Sequence, residues 1–137
     1  MNYLITLISI ILFSLSAQAQ TPDSLQLSNR QITEALLDKA VQYLDLQAEQ
    51  HPGFQEAVYT HLEQARLYMA QHTGDTTLVA HYLEQQWPAL LSEALRPVLS
   101  AEQLRSLSER IHIQRERRDI DRHRGYRHQL QEYLFFF

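Results

Sequence analysis

The chain has 137 residues, a net charge of −4 and no cysteine. That length supports one self-sufficient core. The missing cysteine excludes disulfides, a thiol nucleophile and thiolate metal ligation, and the acidic balance argues against a nucleic-acid partner.

Residues 1–20, MNYLITLISIILFSLSAQAQ, open with an apolar run of about twelve residues from Leu4 to Leu15. Ala17, Gln18 and Ala19 follow as a small-x-small cleavage site, the layout of a secretory signal peptide. The run is shorter than the ~20 apolar residues that span a bilayer. The expectation is a signal peptide over 1–19, cleaved after Ala19, a flexible mature N-terminus over 20–27, and an all-helical domain over 28–137. The mature protein would be periplasmic or secreted, with no stable membrane span after cleavage.

Only 3 glycines and 4 prolines interrupt the whole chain, and no stretch sustains strand alternation. The first predicted helix opens at Ser28, with Gln31 at the capping-box position. Ile32, Leu36, Ala40, Tyr43 and Leu44 then recur at helical spacing, and HPG at 51–53 reads as its stop. A second helix runs from Phe54 to about His72, with Phe54, Val58, Leu62, Ala65 and Met69 on one face. Gly74 ends it, and Asp75 or Thr76 caps a third carrying Val79, Leu83, Trp87, Leu90, Leu91, Ala94 and Leu95. Pro88 falls inside that pattern and predicts a kink or break. Ser100 and Gln103 open a fourth helix, in which Leu104, Leu107 and Ile111 are followed by a run of arginines. From 112 to 125 only Ile113 and Ile120 are aliphatic, so this part reads as solvated and partly projecting. After Gly125, the spacing of Tyr126, Leu130, Tyr133, Leu134 and Phe137 predicts a short amphipathic helix. The fold expected is a single all-α bundle of four to five helices, mostly antiparallel.

Charge is unevenly shared, with a net of −7 over residues 20–104 and +3 over residues 105–137. Acidic residues interrupt the arginine run, so it reads as a solvated helix with pairs such as Arg115–Asp119 and Arg118–Asp121. It also offers a docking surface for anionic envelope components or for the acidic half of a second copy.

Seven histidines prompt a search for a metal site. Glu116, Asp119 and His123 stand at i, i+3 and i+7 on the fourth helix, a carboxylate-imidazole set able to hold Zn²⁺ or Ni²⁺ weakly. There is no nucleophile elbow and no Gly-rich phosphate loop. The chain reads as a non-enzyme that needs no cofactor. The terminal LFFF is read four ways: Leu130, Leu134 and Phe137 docked on the bundle; an exposed apolar patch; a strand offered to a PDZ-type groove; and the terminal signature of an outer-membrane barrel. In the second reading Tyr133, Leu134, Phe135, Phe136 and Phe137 are the client or partner contacts.

Two pentapeptides, LSNRQ at 27–31 and LSAEQ at 99–103, each open a helix, and the second leads into an Arg/Gln-rich stretch. This resembles the periplasmic LTxxQ-motif family, the Spy- and CpxP-like chaperones and envelope stress sensors. The resemblance implies a helical, dimeric protein that binds unfolded envelope proteins without ATP or reports stress. It places Leu27, Ser28 and Gln31, and Leu99, Ser100 and Gln103, in helix-capping roles. The function expected is an exported helical interaction protein, of the ATP-independent periplasmic chaperone or stress-sensing accessory type. Its partners would be envelope proteins, unfolded clients or a second copy of itself. The alternative is a small metal-responsive envelope protein using the fourth-helix trio.

Overall fold

The computed structural model describes residues 26–137, and all its regular elements among them are helical. The expected signal peptide and nearly all of the expected flexible segment 20–27 lie outside the described residues. Four helical rods close a ring. The first is α1 (Asn29–Leu44), and α2 (His51–Gln71) packs against it. The third comprises α3 (Thr76–His81) and α4 (Trp87–Leu95), joined by a π turn at Tyr82–Gln86. The fourth is α5 (Ala101–His123), which packs on both α4 and α1. Among the described residues no helix is long and apolar enough to cross a membrane.

The core holds most of the positions that the helical spacing predicts, but Tyr43 and Leu90 are exposed and Met69 and Ala94 only partly buried. Ile32, Leu36, Ala40 and Leu44 of α1 meet Phe54, Val58, Leu62 and Ala65 of α2, with Val79, Leu83, Trp87, Leu91 and Leu95 from the third rod, all in one apolar cluster. The Trp87 indole N–H donates to the His61 carbonyl oxygen at 2.7 Å, which satisfies the one polar atom of the largest core side chain. Tyr68 and Tyr82 stack with ring centroids 3.8 Å apart.

HPG at 51–53 does not stop a helix; it begins one. α1 ends earlier, at Asp45 in the left-handed region (φ 52), and Pro52 sits in the first turn of α2. There the missing N–H costs nothing, because first-turn amides have no helical partner. Gly53 lies where a Cβ would come within 3.1 Å of a Val98 methyl, so the start of α2 closes against the turn before α5. The interruption expected near Pro88 is the π turn just before it, closed by Trp87 N–H donating to the Tyr82 carbonyl oxygen.

Both pentapeptides form complete capping boxes. Ser28 Oγ accepts from Gln31 N–H while Gln31 Oε1 accepts from Ser28 N–H, and Ser100 and Gln103 repeat the arrangement. The second box does more. Gln103 Nε2 also donates to the Leu44 carbonyl oxygen at 3.2 Å and to Gln50 Oε1 at 3.0 Å, tying α5 to the end of α1. Gln50 in turn donates to the Val98 carbonyl oxygen. Ser28→Ala and Ser100→Ala should each cost about 1 kcal/mol. Gln103→Ala should cost more than Gln31→Ala in urea unfolding, since it leaves the Leu44 carbonyl and Gln50 without their partner.

Candidate functional site: the docked tail and the ionic cluster beside it

The chain turns at Gly125, whose φ of +86 favours a residue without a Cβ, and then runs back across the bundle. The segment beyond it is not the expected amphipathic α-helix. Leu130–Leu134 is a 3₁₀ turn, and Phe135 continues at φ −88, ψ 80. The physical reason is the demand for burial. Tyr133, Leu134, Phe136 and Phe137 all lie in the core, the two terminal phenylalanines at 0% and 2% exposure. On an α-helix these four residues would cover an arc of about 160°, with the adjacent Phe136 and Phe137 about 100° apart. These side chains therefore form no exposed client patch; among Tyr133 to Phe137 only Phe135 is half-exposed.

The 3₁₀ turn packs against α3 and the π turn. At its start, Gln131 Oε1 accepts from the Leu27 N–H at 2.8 Å, so the residue before the first capping box is held in place. Arg66 of α2 fixes the same residue by donating to its carbonyl oxygen at 2.6 Å, and also bonds Asn29. At its end, Phe136 meets Trp87 edge-on at 5.5 Å between centroids, and Phe137 leans on Phe136 at 4.7 Å. Lys39 Nζ donates to the Phe137 carbonyl oxygen at 2.9 Å and lies over the Phe135 ring. Burial lowers the Lys39 ammonium below its ordinary range.

Glu132 organises the polar side of the tail. It accepts from Gln129 N–H, from His128 and from the Tyr126 hydroxyl. Partial burial pushes its carboxyl up, but those donors outweigh burial and leave it below its ordinary 4.5. A lowered folded value means its support is complete above pH 4.5 and fades as pH falls through that lower value. The stability gap between wild type and Glu132→Gln should therefore be widest at neutral pH and narrow in acid. A gap that does not change with pH would remove the charge from this account.

Beside the tail lies a buried ionic cluster. Glu84, on the π turn, is 7% exposed and Arg118, on α5, is 5% exposed. Arg122 grips both Glu84 oxygens at 3.1 Å, and Arg118 Nε stands 3.9 Å from one of them. Arg115 Nη2 donates to the Glu84 backbone carbonyl oxygen at 2.9 Å. These pairings replace the expected Arg115–Asp119 and Arg118–Asp121 pairs. The stretch read as solvated and projecting is exposed at most of its positions, but it does not project: Arg115, Arg118 and Arg122 hold it against the π turn and tail. The Arg118 guanidinium also lies over the Tyr133 ring, so the cluster and the tail share a wall. Burial lowers Arg118 despite Glu84, whereas the bonds to Glu84 and Asp119 raise Arg122.

The expected metal trio does not assemble. Glu116 pairs with His112 at 3.1 Å, Asp119 bonds Arg122, and His123 Nδ1 faces the Asp119 backbone oxygen. Among the described residues no three His, Asp or Glu side chains converge on a point where an ion would sit. The physical reason is competition: the arginines and His112 occupy the carboxylates on the same helix. No family model, curated protein or solved structure matches this chain.

Proposed function

We propose that this is an exported helical protein that binds apolar, aromatic-rich segments of other polypeptides without ATP, as a periplasmic chaperone or a stress-sensing accessory does. The observation that carries the reading is the tail itself. Residues 130–137, a 3₁₀ turn and the three residues after it, lie along an apolar groove floored by Trp87, fastened by polar contacts at both ends. A groove that accepts Tyr-Leu-Phe-Phe-Phe of its own chain has the chemistry to accept an aromatic segment of a client. In this reading the tail is a resident plug, and clients gain access when it leaves. The residues expected to touch clients directly become the residues clients replace.

The test uses mature 20–137, a variant ending at Leu134, and a synthetic peptide spanning 126–137. The truncated variant, shown to be folded by circular dichroism, should suppress aggregation of a chemically unfolded client better than the intact chain. Adding the peptide should reverse that gain. A folded truncated variant that neither suppresses aggregation nor binds the peptide would sink the reading.

A further inference from the structure

The tail reaches its groove through one exposed corner. α5 ends with Gly125 N–H donating to the Arg122 carbonyl oxygen at 3.0 Å and Tyr126 N–H to the Asp121 carbonyl oxygen at 2.9 Å. This is a Schellman arrangement, and it turns on a single residue in the left-handed region, Gly125 at φ +86. His123 to Arg127 are all exposed, so the corner is not anchored in the core. Among the described residues, a Cβ added at Gly125 meets no atom within 4 Å. The space is open, and only the backbone conformation favours glycine there.

What fastens the tail lies beyond this corner. Gln131 accepts from the Leu27 N–H, Lys39 donates to the Phe137 carbonyl oxygen, Phe136 meets Trp87, and Arg118 lies over Tyr133. His128 stands between Glu132 of its own segment and Asp121 of α5. Apart from bonds inside the tail, each of these contacts joins residues 128–137 to residues 27–122. None requires that the two lie on one chain. A second copy carries the same groove and the same tail, so every one of them re-forms between copies with the same partner. Two things favour the closed monomer. The covalent link keeps the tail at a high effective concentration beside its own groove, and a glycine at 125 makes the reversal without strain.

We propose that the tail is exchangeable between copies: the chain forms a two-fold dimer in which residues 128–137 of each copy fill the groove of the other, and Gly125 holds the balance towards the closed monomer. The exchange is reciprocal and ends at two copies, since each groove takes one tail. It shares with the peptide-binding reading the premise that the tail leaves its groove, but it involves no client. In the dimer both grooves stay filled, so the dimer is as closed to clients as the plugged monomer.

The test is Gly125→Ala in mature 20–137, an exposed and open position where the substitution leaves the core untouched. Alanine disfavours the left-handed corner by roughly tenfold and continues α5 readily once the corner opens. Two corners open per dimer, so the association constant should rise roughly a hundredfold over wild type in sedimentation equilibrium. Gly125→Asn, which tolerates the left-handed region, should stay near wild type. To identify what joins the copies, ¹³C-labelled and unlabelled Gly125→Ala chains are unfolded together and refolded, and the dimer is isolated. Isotope-filtered NOE spectra should then place Phe136 of one chain against Trp87 of the other. A Gly125→Ala chain that is folded by circular dichroism yet stays monomeric at the concentration of those spectra would overturn the proposal. So would a dimer whose Phe136–Trp87 contacts all lie within one chain, since the copies then associate through another surface. Neither readout contains a client, so failure of the exchange and failure of the peptide-binding reading are told apart.

Discussion

Phe136→Ala is expected to lower the unfolding free energy by about 3–5 kcal/mol, the range for emptying a buried aromatic site. The side chain is fully buried, edge-on to Trp87 and against Phe137. Its removal leaves a cavity at the floor of the groove, and Phe137 loses the surface it leans on. Phe135→Ala is the control. Phe135 is half-exposed beneath the Lys39 ammonium, a contact worth about 0.5–1 kcal/mol at such a site. Equilibrium urea unfolding followed by Trp87 fluorescence reads both. Trp87 is the one tryptophan of the chain and touches Phe136 directly, so its emission should also shift in the folded baseline of Phe136→Ala. A loss below about 1 kcal/mol for Phe136→Ala would mean that the tail does not occupy the groove in solution. The proposed plug would then be lost with it.

What was legible in the sequence is what local chemistry decides. Ser28 with Gln31, and Ser100 with Gln103, announce helix starts because a capping box involves residues three apart. Most apolar positions of α1, α2 and the third rod that follow helical spacing are the core, Tyr43 and Leu90 being the exposed exceptions. The HPG stretch was misleading because the same proline that stops one helix suits the first turn of the next. α5 inverted its polarity pattern. Ile113 and Ile120, its aliphatic residues beyond Ile111, face solvent at 44% and 52% exposure, while Arg118 is buried. No rule of periodicity yields that, because Arg118 is drawn inward by Glu84, a residue 34 positions earlier. The available signal was Glu84 itself, an acid immediately after Leu83 on a rod otherwise apolar on that side. The tail failed for a related reason. Its spacing fits an amphipathic helix, but the groove buries Phe136 and Phe137 together, and adjacent residues on a helix diverge by about 100°.

Glu84→Ala should be the other severe substitution, costing about 3–5 kcal/mol, because it strips the buried arginines of their carboxylate. Removing both charges should cost less than removing one. In Glu84→Leu combined with Arg118→Met, the most buried cation leaves with its partner. Arg122, with a side chain 38% exposed, still has Asp119 at the rim. The double variant should therefore recover most of the loss seen in Glu84→Ala, in the manner of buried ion pairs replaced by apolar residues of similar volume. A double-mutant cycle on urea unfolding isolates the coupling. Recovery would mean that the cluster places α5 and the tail more than it stabilises the fold, the π turn serving to aim Glu84 at α5. A double variant as unstable as the sum of its parts would mean instead that the Glu84 carboxylate stabilises chiefly through Arg122. The Arg118–Glu84 pair at 3.9 Å would then contribute little to stability.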